Sequence, residues 1–269
     1  MIRPRKHFSQ NFLIDPHVIQ QIMDCFNIRP SDTVCEIGPG RGALTGPLLE
    51  KLGTLTAIEI DRDLSKALTL RYPTSQLRLL NQDVLKTDFS RLSPATVRII
   101  GNLPYHISTP ILFHLLQYKD HIQDMHFMLQ KEVVDRMTAK PSTPDYGRLS
   151  VMIQYHCAVQ KKLEIPPTAF YPKPKVTSAM IALKPYPIPP CLAHNVSLFS
   201  LFVNLAFQQR RKMIANSLQR LLQQYPIDPK ATLQAIFEAT DIQPQQRPES
   251  LSVEAFVALS NLIHQALSA

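Results

Sequence analysis

No apolar run in this chain is long enough to cross a membrane. The basic start, Met1-Ile2-Arg3-Pro4-Arg5-Lys6-His7, leads into no apolar signal core. Both absences argue against membrane and secreted classes and leave the cytoplasm as the expected location. Cysteine is sparse: Cys25, Cys35, Cys157 and Cys191 stand far apart with no Cys-x-x-Cys pair, and the nine histidines include no His-Glu-x-x-His grouping. No metal site is expected, and the cysteines read as buried reduced thiols. Internal repeats and low-complexity tracts are missing as well. Glycine is scarce, seven in 269 residues, so a cluster of it carries information. Acids vanish altogether between positions 195 and 225.

The balance of charge follows from that gap. Net charge is +8 and the pI is about 9.4. Arg3, Arg5 and Lys6 precede any acid, and Arg210, Arg211 and Lys212 are consecutive. A field of this sign, clustered rather than spread, favours capture of a polyanion such as nucleic acid over charge kept for solubility alone.

Three of the seven glycines fall within five residues, in Val34-Cys35-Glu36-Ile37-Gly38-Pro39-Gly40-Arg41-Gly42. A β-prone run, 33–37, stops at the first of them, and helix-compatible sequence follows over 43–51. Strand, glycine turn and helix open a nucleotide-binding βαβ unit. Glycine serves there by adopting positive φ and by letting a ligand lie against bare backbone. Read loosely, Gly38-x-Gly40-x-x-Ala43 fits a dinucleotide fingerprint. Glu-x-Gly-x-Gly-x-Gly resembles motif I of S-adenosylmethionine-dependent methyltransferases. The turn alone does not decide between them.

Along the chain, Asp15-Pro16 reads as a helix start, with Val18, Ile19, Ile22, Met23 and Phe26 at helical spacing. Further strands are expected at 55–61, 76–81, 97–100, 125–129, 162–165 and 176–184, with helices between, one of them over 148–159. Strands alternating with helices imply a parallel α/β sheet. Glu59, 21 positions after Gly38, is placed to accept hydrogen bonds from ribose hydroxyls; Asp61 is its rival. Asp83 suits an adenine amine or a turn cap equally. Lys184-Pro185-Tyr186-Pro187-Ile188-Pro189-Pro190 reads as a linker. The expected division is an α/β domain over 1–189 and a small all-α domain over 190–269.

Asn102-Leu103-Pro104-Tyr105 ends the fourth strand, on the side of the sheet where α/β proteins bind ligands. It resembles motif IV of methyltransferases that modify exocyclic amines of bases. An adenine N6 lone pair is delocalised into the ring and attacks poorly. Acceptors aimed at its protons, the Asn102 amide oxygen and a main-chain carbonyl near Leu103, localise that pair. Pro104 stiffens the loop and Tyr105 offers a ring for stacking. Phe8-Ser9-Gln10-Asn11-Phe12-Leu13 resembles the motif X segment that closes over the cofactor, with Ser9 where glycine is usual. Phe170-Tyr171-Pro172-Lys173-Pro174-Lys175-Val176-x-Ser178 resembles motif VIII. Phe207-Gln208-Gln209-Arg210-Arg211-Lys212 and Arg247-Pro248-Glu249-Ser250-Leu251-Ser252 resemble two segments of the same family's tail.

Together these segments resemble the KsgA-type 16S rRNA adenine N6,N6-dimethyltransferases of the rRNA adenine N6-methyltransferase superfamily. The resemblance implies a Rossmann-like S-adenosyl-L-methionine-dependent domain, with a mostly parallel seven-stranded sheet and a helical C-terminal domain. It implies donor contacts from Gln10, Asn11, Leu13, Gly38, Gly40, Glu59, Asp83 and Asn102. It implies a target base sandwiched between Tyr105 and Phe170, unless Phe170 is a core aromatic. Arg210, Arg211 and Lys212 would hold phosphates of 16S rRNA in a small ribosomal subunit, or pair with acids of the tail. A monomer suffices for that. The alternatives are an Erm-type enzyme acting on 23S rRNA, a nicotinamide dehydrogenase, for which no proton-shuttling residue stands out, and a non-catalytic assembly factor that keeps the fold.

Overall fold

A computed structural model of the chain describes residues 11–268. Its strands are β1 (Phe12–Leu13), β2 (Val34–Ile37), β3 (Leu55–Ile58), β4 (Leu77–Leu80), β5 (Val97–Asn102), β6 (Ile122–Gln130), β7 (Cys157–Ile165), β8 (Phe170–Tyr171) and β9 (Ser178–Pro185). Its helices are α1 (Pro16–Phe26), α2 (Thr45–Leu52), α3 (Arg62–Arg71), α4 (Ser108–Leu116), α5 (Lys131–Thr138), α6 (Arg148–His156), α7 (Val196–Gln208), α8 (Ile214–Leu222), α9 (Pro229–Glu238) and α10 (Val253–Ser268). Among the described residues no helix is long and apolar enough to cross a membrane.

Seven strands form one sheet in the order β4-β3-β2-β5-β6-β9-β7. Strands β2 to β6 run parallel, and β9 pairs antiparallel with β6. The order reverses between β2 and β5, and the crevice at such a switch point is where open α/β sheets bind ligands. Gly101 makes that junction possible. A Cβ there would sit 2.4 Å from the Ile37 carbonyl oxygen on β2, so no other residue lets the two central strands close. A second, two-stranded sheet pairs β1 with β8 antiparallel, Phe12 opposite Tyr171 and Leu13 opposite Phe170.

The apolar stripe of α1, with Val18, Ile22, Met23 and Phe26 buried, packs against β2, β3 and β8 residues in one core. Asp15 caps the helix through its side chain, which accepts from the His17 and Val18 N–H groups, with Pro16 in the first turn. The expected helix over 148–159 ends three residues sooner. From Cys157 the side chains alternate between the two faces, the period of a strand, and β7 takes over.

The chain divides into two compact units. One holds the described residues up to Val134 with Ala158–Pro187; the other holds Asp135–Cys157 with the residues from Ile188 onward. The helical unit is therefore larger than 190–269, because α6 packs on α7 and α10. Its core is aromatic: Tyr155 lies 4.6 Å from Phe199, and Phe256 lies 5.6 Å from both Phe202 and Phe207, centroid to centroid.

Candidate active site

The carboxyl ends of β2, β3, β4 and β5 open on one cavity of about 290 Å³. Gly38 and Gly40 form its floor, Glu59 and Asp83 one side, and the turn 102–105 the other; Asn11 and Phe12 complete it. Four separate stretches of sequence thus converge because each ends a strand of the same parallel sheet. Leu13 lines a smaller adjoining recess, and its side chain belongs to the core. Gln10, Ser9 and the basic Arg3, Arg5 and Lys6 lie outside the described residues.

The glycine turn depends on left-handed backbone, which favours glycine. Gly38 and Gly40 both have positive φ, +67° and +59°. The space a Gly40 Cβ would take is bounded 3.2 Å away by the Phe12 ring. Glu59 is buried, and both its carboxylate oxygens are oriented by main chain: Oε2 accepts from Gly40 N–H at 3.1 Å and Oε1 from Asp61 N–H at 2.9 Å. Each oxygen keeps a further lone pair for a ligand hydroxyl. Burial pushes its carboxyl above the ordinary value, against the pull of those two N–H groups. Asp61 caps α3, accepting from Asp63 and Leu64 N–H, which separates its role from that of Glu59. Asp83 caps the turn at Val84–Lys86 with Oδ1, which accepts from Leu85 N–H at 3.0 Å, and it also lines the cavity.

Glu36, two residues before Gly38, lies beneath the turn. Burial, opposed by the hydrogen bond from Thr45 Oγ1 and aided by the nearby Glu59, raises its carboxyl from 4.5 to about 8. Between these values the folded protein holds a proton that the unfolded chain has released, so rising pH favours unfolding. Relative to the parent, Glu36→Gln should gain stability as pH rises from about 5 to 8, by up to about 1 kcal/mol per pH unit. Urea denaturation at several pH values measures this; parallel curves for the two proteins would contradict it.

At the tip of β5, Asn102 Nδ2 donates to the Asn11 carbonyl at 2.9 Å. A carbonyl only accepts, so the amide is oriented with its nitrogen toward Asn11 and its oxygen away from it. Leu103 is buried, its N–H bonded to the Met128 carbonyl at 3.2 Å, which anchors the turn to β6. The Tyr105 hydroxyl lies 2.7 Å from Ser178 Oγ, the last residue of the motif VIII segment, and this contact fixes the ring. Burial raises the Tyr105 phenol, with the Ser178 hydrogen bond acting against it.

Phe170 does not line the cavity. It is 3% exposed and packs with Leu13, Ile165, Ala169 and Met180 in the core, whereas its neighbour Tyr171 is 54% exposed. Pairing with β1 decides this, because successive side chains of a strand face opposite ways. The expected place for Phe170 on the base is corrected accordingly. Phe170→Ala should cost about 3–5 kcal/mol of stability, as buried Phe truncations do. Unchanged stability combined with lost turnover would return the ring to the base.

Arg210 is likewise committed. Its Nε donates to Glu249 and its Nη2 to the Thr143 carbonyl, so it braces the loop before α6 while staying partly exposed. Arg211 and Lys212 are exposed.

A larger groove, about 700 Å³, lies at the opposite ends of the strands. Its centre is Arg98, whose donors are engaged by Asp124, Asp32 and the carbonyls of Phe26 and Asn27. That network neutralises a buried charge.

Residues 1–265 match the model of the family described as ribosomal RNA adenine dimethylase. The chain belongs to that family. It is 48% identical over 262 residues to ribosomal RNA small subunit methyltransferase A of Acinetobacter baylyi, covering 96% of this chain and 92% of the relative. The Legionella pneumophila protein of the same name is 47% identical over 264 residues, covering 97% and 98%. Among solved structures, a dimethyladenosine transferase from Plasmodium falciparum superposes with TM-score 0.81 at 25% identity, covering 95% of this chain and 98% of that one. The 23S rRNA methyltransferase ErmE superposes with TM-score 0.70 at 26% identity, covering 95% and 100%. Membership of the dimethylase family makes S-adenosyl-L-methionine the cofactor of this chain. The glycine floor, the oriented Glu59 carboxylate and the 102–105 turn all fit that molecule.

Sequence reasoning missed several residues of the site. Ile60, half exposed directly after Glu59, and Leu85 form apolar walls of the cavity. Nothing in their spacing marks them. Ser178 was visible only as part of a motif, and its contact with Tyr105 spans 73 positions.

Proposed function

We propose that this enzyme dimethylates N6 of two adjacent adenosines in a hairpin loop near the 3′ end of 16S rRNA, within a small ribosomal subunit or its precursor. The proposal rests on one observation above all: the glycine turn, Glu59 and Asn102 share a single cavity. Bound S-adenosyl-L-methionine supplies an electrophilic methyl group on a sulfonium. The chain's own residues do the rest. Glu59 accepts from the ribose hydroxyls, Gly38 and Gly40 leave room for the donor along the backbone, and Ile60 and Leu85 enclose its adenine. Asn102 Oδ1 and the Leu103 carbonyl accept from the target amine, which localises its lone pair for in-line attack. Tyr105, held by Ser178, stacks one face of the base.

No strong general base is needed, because the amine becomes more acidic as it gains the methyl group. Catalysis is then mostly positioning. Taking a base out of its stack costs least when it is already unpaired, which suits a hairpin loop. Arg211 and Lys212 contact phosphates and fix register without reading sequence. The enzyme works as a monomer in the cytoplasm. The relatives at 46–48% identity carry the small-subunit name, which favours this substrate over the 23S rRNA of Erm-type enzymes.

Unmethylated small and large ribosomal subunits, incubated separately with enzyme and labelled donor, test the assignment. Label is expected in the small subunit; label confined to the large one would reject it.

A further inference from the structure

Arg41 stands in the turn from Pro39 to Gly42, which the Gly42 N–H closes on the Pro39 carbonyl at 2.8 Å. Its backbone is therefore fixed. Its guanidinium carbon lies 4.4 Å from the centroid of the Phe12 ring, a cation–π contact. Phe12 is buried, lines both the cavity and the recess beside it, and belongs to β1. The residue before it, Asn11, supplies the carbonyl that orients the Asn102 amide. A chain of direct contacts thus leads from Arg41 through Phe12 and Asn11 to the acceptor of the target amine. The strand that carries Phe12 is only two residues long, so its ladder alone holds it weakly.

We infer that Arg41 is a positioning residue for methyl transfer: by clasping Phe12 it keeps residues 11–13 docked, and so holds the Asn102 oxygen toward the target amine. This inference rests on the role given above to Asn102. With Arg41 removed, Asn11 moves off its partner, and the Asn102 amide rotates between orientations of which one presents an N–H donor to the amine. Arg41 touches neither reacting atom. Its effect falls on the transfer step at saturating donor.

Single-turnover rates on small subunits, with donor-product affinity from calorimetry, form the test. Arg41→Ala should slow transfer at saturating donor about tenfold while donor-product affinity changes less than about threefold. Arg41→Lys, which keeps the cation, should recover most of the rate; Arg41→Met, which keeps the bulk, should not. In an Asn102→Ala background, Arg41→Ala should have little further effect, because both act through one amide. An undiminished rate in Arg41→Ala, equal rescue by Met and Lys, or full additivity with Asn102→Ala would each overturn the inference. The two readings fail separately. If Asn102→Ala alone leaves the rate intact, the amine-acceptor role falls; if Asn102→Ala is slow and Arg41→Ala is not, only the role of Arg41 falls.

Discussion

Asn102→Ala is expected to lower the rate of methyl transfer about 10²–10³-fold, the loss typical of one preorganised polar group aimed at a reacting centre. Donor affinity should change only a few-fold, because the glycine floor and Glu59 remain. The reason is geometric. The Asn11 carbonyl takes the Asn102 nitrogen at 2.9 Å, leaving the oxygen for the target amine. Asn102→Asp separates shape from charge. Its carboxylate has no donor for the Asn11 carbonyl, so it too should be slow. Single-turnover kinetics beside calorimetry with S-adenosylhomocysteine measure both quantities. A variant that methylates as fast as the parent would remove Asn102 from the mechanism.

Glu59→Ala should have the opposite signature, a loss of donor affinity of about 10²-fold or more, since hydrogen bonds to a charged group contribute roughly 1.5–3 kcal/mol each. Two ribose hydroxyls are at stake. Glu59→Gln is not a mild change here. Both carboxylate oxygens already accept from main-chain N–H groups, those of Gly40 and Asp61. An amide has one oxygen for two such donors, and its NH₂ would face an N–H. The Gln variant should therefore bind donor nearly as weakly as the Ala variant, and the glycine turn should lose order with it. Calorimetry decides; a Gln variant with parental affinity would show that the carboxylate makes no essential contact with the donor.

Much of the site could be read from sequence because its parts are local. Gly38 and Gly40, Glu59 and Asn102 each sit at the end of a strand, and parallel α/β topology gathers such ends without any further information. The helix start at Asp15 and the glycine turn are short-range features of the same kind. What could not be read depends on partners distant in sequence. Phe170 resembles a motif aromatic, and only the pairing of β8 with β1 shows that its ring faces the core while Tyr171 faces out. Arg210 looks like one of three equivalent cations until Glu249, 39 residues away, claims it. The Asn11 carbonyl lies 91 positions from the side chain it orients. Main-chain acceptors have no sequence signature. Residues 135–157 join the helical unit because of how α6 packs, although they fall between two strands of the sheet.

In the proposed reaction one pocket brings the donor's methyl group to an amine held at the 102–105 turn. A crystal structure with bound S-adenosyl-L-methionine and an adenosine acceptor measures this directly. The ribose is expected on Glu59, the sulfonium methyl carbon about 3–3.5 Å from the acceptor N6, and that nitrogen within hydrogen-bond reach of Asn102 Oδ1. A donor whose methyl group points away from the turn, with Asn102 Oδ1 bonded elsewhere, would contradict it.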